Sequence, residues 1–278
     1  RIPHVTGVLT MNTDTNNQRV LLEKSSTGVA ELIINRPEVH NAFDDAVIEQ
    51  LITNLEATNE DPDVRVLVLR SRGKNFSAGA DLAWMKRMAQ NSHQENMVDA
   101  GRLARLMEVL NNHTKPTIAL VQGAAYGGAV GLAACCDIVI AAESSTFCLS
   151  EVKIGLIPAV ISPYVVRAMG ERQSRRYFVT AELFSARTAQ QFGLVHEVVD
   201  SVEQLDEACD RFIATLRRNS PQAMKAAKDL IYAVSQKAIT QEVINDTARR
   251  IADIRVSDEG QEGLGSFLQK RKPNWIQE

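Results

Sequence analysis

"TIALVQGAAYGGAVGLAACCDIVIAA" (residues 117–142) is the most apolar stretch of the chain, and its reading decides the fold. A membrane helix needs roughly 20 uninterrupted apolar residues. Here glycines at 123, 127, 128 and 131 and the acid Asp137 break the run into pieces. Its ends, "TIALVQG" (117–123) and "DIVIAAE" (137–143), read as strands, and the small residues between them read as a turn and a helix. Working outward, "RVLLEK" (19–24), "VAELIIN" (29–35) and "VRVLVLRS" (64–71) are further strands. In "DDAVIEQLITNLEATNED" (44–61), Val47, Ile48, Leu51, Ile52 and Leu55 recur at helical spacing behind an acidic start. In "NMVDAGRLARLMEVLNNH" (96–113), Leu103, Leu106, Met107 and Leu110 share one face, and the pattern stops before Lys115-Pro116. Strands alternating with helices predict an α/β fold whose inner strands are buried on both faces.

From about residue 203 the strand signals vanish, and consecutive helices are expected with a break at Ser220-Pro221. The chain therefore divides into a polar, flexible N-terminal extension (1–17), an α/β core (18–202) and a helical segment (203–278) suited to packing against partners. No internal sequence repeat and no low-complexity segment stands out. The N-terminus lacks the layout of a signal or transit peptide, and Met11 is a candidate natural start.

The 278 residues are 45% hydrophobic and 23% charged with a net charge of −3, the balance of a soluble globular protein. That balance argues against a nucleic-acid binder, which carries a basic surplus. Cys135, Cys136, Cys148 and Cys209 have neither CxxC spacing nor a histidine cluster, so buried reduced thiols are expected and a zinc site is not.

Two patches stand out for having almost no side chains. "FSAGADLAWM" (76–85) follows a strand and opens a helix, and so does Gly127-Gly128. A helix N-terminus offers unpaired N–H groups and a positive dipole end, which suit a developing negative charge. Read alone, each patch is more readily a tight turn that needs small residues for close packing. A third element, "FCLSEVKIGLIPAVISPYVV" (147–166), places Glu151 after a short strand.

In order and spacing, "GKNFSAGADL", "KPTIALVQGAAYGGAVGLAACCDIVIA", "FCLSEVKIGLIP" and "RRYFVTAELFSARTAQQFGLVHEVV" resemble the crotonase (enoyl-CoA hydratase/isomerase) superfamily, with "RPEVHNAF" (36–43) and "FLQKRKP" (267–273) agreeing near either end. "PAVISPYVV" and the C-terminal "IRVSDEGQEGLGSFLQKRKPNW" look closer to the bacterial 3-methylglutaconyl-CoA / carboxygeranoyl-CoA hydratase-like branch. The resemblance implies a spiral of strand–strand–helix turns with a C-terminal helical trimerisation segment, trimers pairing into hexamers, and a bacterial cytoplasmic enzyme. It implies an acyl-CoA substrate and no metal or other cofactor. Its thioester oxygen would be held by the N–H groups of Ala80 and Gly128, with Glu151 moving protons. The carbonyls between Ala78 and Leu82 would face the adenine, and Phe267 and Lys270 would reach the CoA of a neighbouring subunit. Backbone can approach a thioester closely only where side chains are tiny, which gives the bare patches a purpose.

One departure is plain. Family hydratases use two glutamates, and the position of the first is here Gly131. Hydration is the leading expectation, with Glu151 serving both water and Cα or a substrate carboxylate assisting; Tyr126, Ser150 and Tyr164 are weaker candidates for orienting water. Isomerisation, or an acyl-CoA-binding member with weakened catalysis, is the alternative. Asp81 and Asp137 are expected to cap or brace backbone, and His40, His113 and His196 to be non-catalytic. Trp84 and Met85 are expected in an acyl-pocket wall or the core. Lys153 and Arg167 are candidates for a distal substrate carboxylate. The short cluster of Arg172, Arg175 and Arg176 does not amount to an RNA-binding surface.

Overall fold

The computed structural model describes residues 18–276, so the expectation for the N-terminal extension lies outside the described residues. The chain forms two compact units, one running to His113 and resuming over Thr117–Cys209, the other made of Thr114–Pro116 and everything from Asp210.

In the first unit, β1 (Val20–Lys24), β2 (Val29–Ile34), β3 (Val66–Ser71), β4 (Thr117–Val121), β6 (Ile138–Ala142) and β9 (Glu197–Val199) build one sheet in the order β1-β2-β3-β4-β6-β9. Only the β1–β2 pair is antiparallel. Every residue of β4 is buried, as expected of a parallel strand covered on both faces. A second, small sheet joins β5 (Ala124–Tyr126), β7 (Thr146–Cys148) and β8 (Phe184–Ser185), and an isolated parallel bridge from Ser77 to Ala125 extends it by one residue.

The helices of this unit are α1 (Asp45–Glu60), α2 (Leu82–Met88), α3 (His93–Asn111), α4 (Gly128–Cys135), α5 (Ser162–Met169), α6 (Glu171–Thr180) and α7 (Ala186–Phe192). α1 starts where Asp44 accepts the Val47 N–H, and Val47, Leu51 and Leu55 are buried with Met107 and Leu110 of α3 in one core. Each such side chain contributes about 1.5–3 kcal/mol relative to exposure.

A geometric repeat underlies this order although the sequence carries none. β3, the Ser77 bridge and α2 make one strand–strand–helix turn; β4, β5 and α4 make the second; β6, β7, a 3-10 turn (Glu151–Ile154) and α5 make the third. This is the crotonase-type α/β spiral. Ala80, Gly128 and Glu151 therefore sit at equivalent places, the junctions between short strand and helix in three successive turns.

α8 (Leu205–Arg217) spans the division between the units. In the second unit, α9 (Pro221–Val234), α10 (Gln241–Val256) and α11 (Asp258–Leu268) follow, with Pro221 at the first turn of α9 where no N–H is needed. Glu259 accepts from the Ser220 hydroxyl and, at 2.9 Å, from the Gln222 N–H, tying α11 to the start of α9. Arg271 grips Glu262 with both guanidinium arms at 2.6 and 2.7 Å.

Candidate active site

Residues 76–81 run between two flanking segments. On one side Phe76 and Ser77 donate to the carbonyls of Gln122 and Ala124, and Tyr126 donates back to Ser77. On the other side Ala78 donates to His40, Phe43 to Gly79, and Asp81 to Phe43. Gly79 donates to the Ser77 hydroxyl at 3.2 Å. Thus, among the described residues, every N–H from 76 to 81 is engaged except that of Ala80. The reason is geometric. In a parallel bridge the partner binds the residues on either side of the bridged one, so Ala80, bridged to Phe43, has its own N–H turned away from that partner. Ala80 itself is a solvent-exposed residue.

The second turn supplies a similar group. Gly127 donates to the Cys148 carbonyl at 2.9 Å and stands at φ 56°, ψ −121°, a conformation that only glycine adopts readily. This sharp turn starts α4 at Gly128, whose N–H is one of the unpaired donors at a helix start. Phe43 joins the two turns: its backbone brackets Ala80, and its ring lies 3.4 Å from where a Cβ on Gly128 would stand. Gly79 is equally close to the second turn, an ideal Cβ on it lying 3.3 Å from the Tyr126 carbonyl oxygen.

Glu151 completes the cluster. The Phe147 ring, fully buried, stacks on Phe184 at 5.6 Å and anchors β7; the bond between Gly127 and Cys148 then brings the residues after β7 alongside the α4 start. Glu151 Oε1 lies 3.2 Å from an ideal Cβ on Gly127, and Oε2 is buried with no hydrogen-bond partner. Burial raises the pKa of this carboxyl above its ordinary value. A buried acceptor without a donor is rare and calls for a ligand or a chemical role.

Gly131, on the first turn of α4, faces an occupied space. An ideal Cβ there would stand 2.3 Å from Ile161 Cγ2 and 3.1 Å from Met107 Sδ. Apolar atoms fill the place from which a second carboxylate would project. Tyr126 bonds Thr146 through its hydroxyl at 3.2 Å.

Among the other expected site residues, Ala78 and Leu82 flank Ala80, with Leu82 well exposed at the start of α2. In that segment the Gly79 and Asp81 carbonyls are taken by the Phe43 and Met85 N–H groups. Phe267, 82% exposed at the end of α11, and Lys270, at φ 55° just beyond it, belong to the second unit. Asp81 caps α2 through the Ala83 and Trp84 N–H groups, and Asp137 accepts from Thr117 at the edge of β4. Trp84 is buried in the core, its indole N–H without a partner. His113 meets Thr58 at 3.2 Å, and His40 meets Asn75. All four cysteines are buried, and none is in a disulfide. Among the described residues there is no group of three metal-ligating side chains and no helix long and apolar enough to cross a membrane.

Sequence reasoning missed Phe43, Arg36 and Asn41. They lie in "RPEVHNAF", which was visible as a motif, but nothing in its spacing told that it packs on residues 76–81.

The family model of enoyl-CoA hydratase/isomerase matches residues 24–278. The chain belongs to the enoyl-CoA hydratase/isomerase family. Its fold overlays that of an enoyl-CoA hydratase from Shewanella pealeana with a TM-score of 0.90, at 49% identity over 93% of this chain and 96% of the other. A 2,3-dehydroadipyl-CoA hydratase from Escherichia coli is 32% identical over 93% of this chain and 95% of its own length. A trans-2-decenoyl-[acyl-carrier-protein] isomerase from Streptococcus mutans is 28% identical over 92% and 97%. Membership in the enoyl-CoA hydratase/isomerase family makes the chain an acyl-CoA enzyme of this kind, and both reaction types occur among its relatives.

Proposed function

We propose that the chain hydrates a 2-enoyl-CoA, with the N–H groups of Ala80 and Gly128 receiving the thioester oxygen and Glu151 moving the protons. The single observation that carries this reading is the unbonded N–H of the exposed residue Ala80, tied through Phe43 to the start of α4 and thence to a buried carboxylate with one oxygen unpartnered. In the forward reaction Glu151 takes a proton from water as its oxygen bonds to Cβ. The electron pair of the double bond moves to the thioester, giving an enolate whose charge rests on the oxygen. Glu151 then returns the proton to Cα, leaving the carboxylate free again. Each backbone donor to such an oxygen is worth about 10²–10³ in rate, and a positioned acid–base group about 10²–10⁴. No metal or further cofactor enters these steps.

The substrate proposed for first assay is 3-methylglutaconyl-CoA, on the strength of the C-terminal resemblance; Lys153 or Arg167 would meet its distal carboxylate. Phe267 and Lys270 would complete the CoA site of a neighbouring copy, in a trimer or a hexamer built from two trimers, working in the cytoplasm. The test follows the conjugated-thioester absorbance with 3-methylglutaconyl-CoA, crotonyl-CoA and a 3-enoyl-CoA. Loss of absorbance with either conjugated ester supports hydration, and their relative kcat/KM decides the acyl class.

A second reading is 1,3-proton transfer, favoured by Ile161 and Met107 filling the space beside Gly131. There Glu151 would take a proton from Cα and return it to Cγ. A gain of absorbance from the 3-enoyl ester, with no hydration of the conjugated ones, would put isomerisation first.

A further inference from the structure

We propose that Arg36 is a positioning residue that aims the Ala80 N–H at the thioester oxygen; this deepens the reading above and rests on it. A one-residue bridge is a weak holder of direction. Across the bridge, one hydrogen bond, from the Phe43 N–H to the Gly79 carbonyl, holds the peptide that carries the Ala80 N–H, and a second, from the Asp81 N–H to the Phe43 carbonyl, holds the next peptide, whereas a strand in a ladder is fixed by many. Arg36 supplies what the bridge lacks.

Its guanidinium, 11% exposed, donates to the Ala42 carbonyl at 2.7 Å and to Asp81 Oδ2 at 3.1 Å, and lies 3.5 Å from Asp44 Oδ2. It thus holds the residue before Phe43, the residue after Phe43 and the residue after Ala80. Its own backbone is fixed as well: the Arg36 N–H donates to Asn41 Oδ1 at 2.8 Å. Asn41, fully buried, donates to the carbonyls of Arg72 and Asn75 at 2.7 Å each. Asp44 and Asp81 are both N-caps, of α1 and α2, and Arg19 also pairs with Asp44. Burial pushes Asp81 up, but the Trp84 and Ala83 N–H groups and Arg36 together hold its carboxyl below the usual range. The contact is therefore ionic at working pH.

Geometry, and not charge alone, does the positioning. A planar fork reaches three oxygens on two segments at once; the single ammonium of a lysine cannot. Replacement of Arg36 still leaves both caps their backbone donors and leaves Asp44 its Arg19, so the fold retains these supports while the bridge loses its clamp.

The experiment uses the full-length chain and two non-reacting probes, butyryl-CoA and S-butyl-CoA, which differ by the carbonyl oxygen. Dissociation constants for both, kcat and KM for the enoyl ester turned over, and thermal midpoints are measured for the wild type, Arg36→Lys and Arg36→Gln. The wild type is expected to prefer butyryl-CoA. In both variants that preference falls toward unity through loss of butyryl-CoA affinity alone, and kcat falls about 10²-fold, the scale of one lost oxyanion donor, with KM changed only a few-fold. A lowered midpoint with equal loss of affinity for both probes, or an unchanged kcat, overturns the role assigned to Arg36. A wild type indifferent to the carbonyl overturns the oxyanion reading itself, and Arg36 with it. Should both variants fail to fold, Asp81→Asn, which keeps an acceptor for the Ala83 and Trp84 N–H groups, decides in their place: an unaltered probe preference there overturns the clamp.

Discussion

Glu151 illustrates how a single residue trades stability for chemistry. Its carboxyl is buried beside Gly127 with Oε2 unpartnered and its pKa raised by burial. In the unfolded chain it titrates near 4.3, so between that value and the raised one the folded state holds more protons. Stability is then lost as pH rises through the window, and above it the protein carries the full penalty of a buried charge. Glu151→Gln should therefore raise the thermal midpoint at neutral pH while lowering turnover by about 10²–10⁴-fold and leaving CoA-ester binding intact. Calorimetry and initial rates check both halves. Because the base works ionised, wild-type kcat/KM should fall on the acid side with an apparent pKa above the ordinary glutamate value. Gly131 shows the opposite constraint. Its place on α4 leaves no room for a Cβ against Ile161 and Met107, both buried. Despite alanine's better helix propensity, Gly131→Ala should cost about 1–3 kcal/mol through overpacking. Combining it with Ile161→Ala should cost less than the two changes summed, which urea titrations of the four chains will measure.

At the scale of elements, the three strand-to-helix junctions depend on the sheet behind them staying in register. β9 closes the large sheet on β6, and His196, just before β9, locks that edge. Its Nδ1 accepts the Val139 N–H at 3.0 Å while the His196 backbone N–H donates to the Val139 carbonyl at 2.9 Å. A protonated imidazole cannot accept. Burial lowers the His196 pKa, with Asp137 opposing, so its contribution to stability is complete above the unfolded value of about 6.5. It is lost as pH falls below that value and through the depressed folded one. His196→Phe should remove this acid-side loss of midpoint below about pH 6.5, at the cost of a lower plateau at neutral pH; melting curves from neutral pH downward test it. The long strands and helices were legible in the sequence because burial stamps a period on them: Val47, Leu51 and Leu55 recur on one face of α1, and β4 is apolar throughout. β5, β8 and β9 were not, since two or three residues carry no period.

For the whole molecule, the exposed apolar side chains of the second unit, including Ile231, Ile251, Leu264 and Phe267, accompany the proposal that copies of the chain associate. Sedimentation should give a mass of three or six chains. Phe267→Ala should raise KM for the enoyl ester several-fold with kcat little changed; an unaltered KM would remove Phe267 from the CoA site.

The sequence by itself determined the α/β alternation and the three small or acidic motifs, because these are local: glycine where backbone must turn sharply, apolar period where a face is buried, and Glu151 just after a short strand. Only the tertiary structure decided which amide is free and what holds it. Whether the Ala80 N–H points outward depends on Phe43, far along the chain, bonding to its neighbours, and the space beside Gly131 is closed by Ile161. Such pairings are made by chain segments meeting in space, and no local pattern of residues records them.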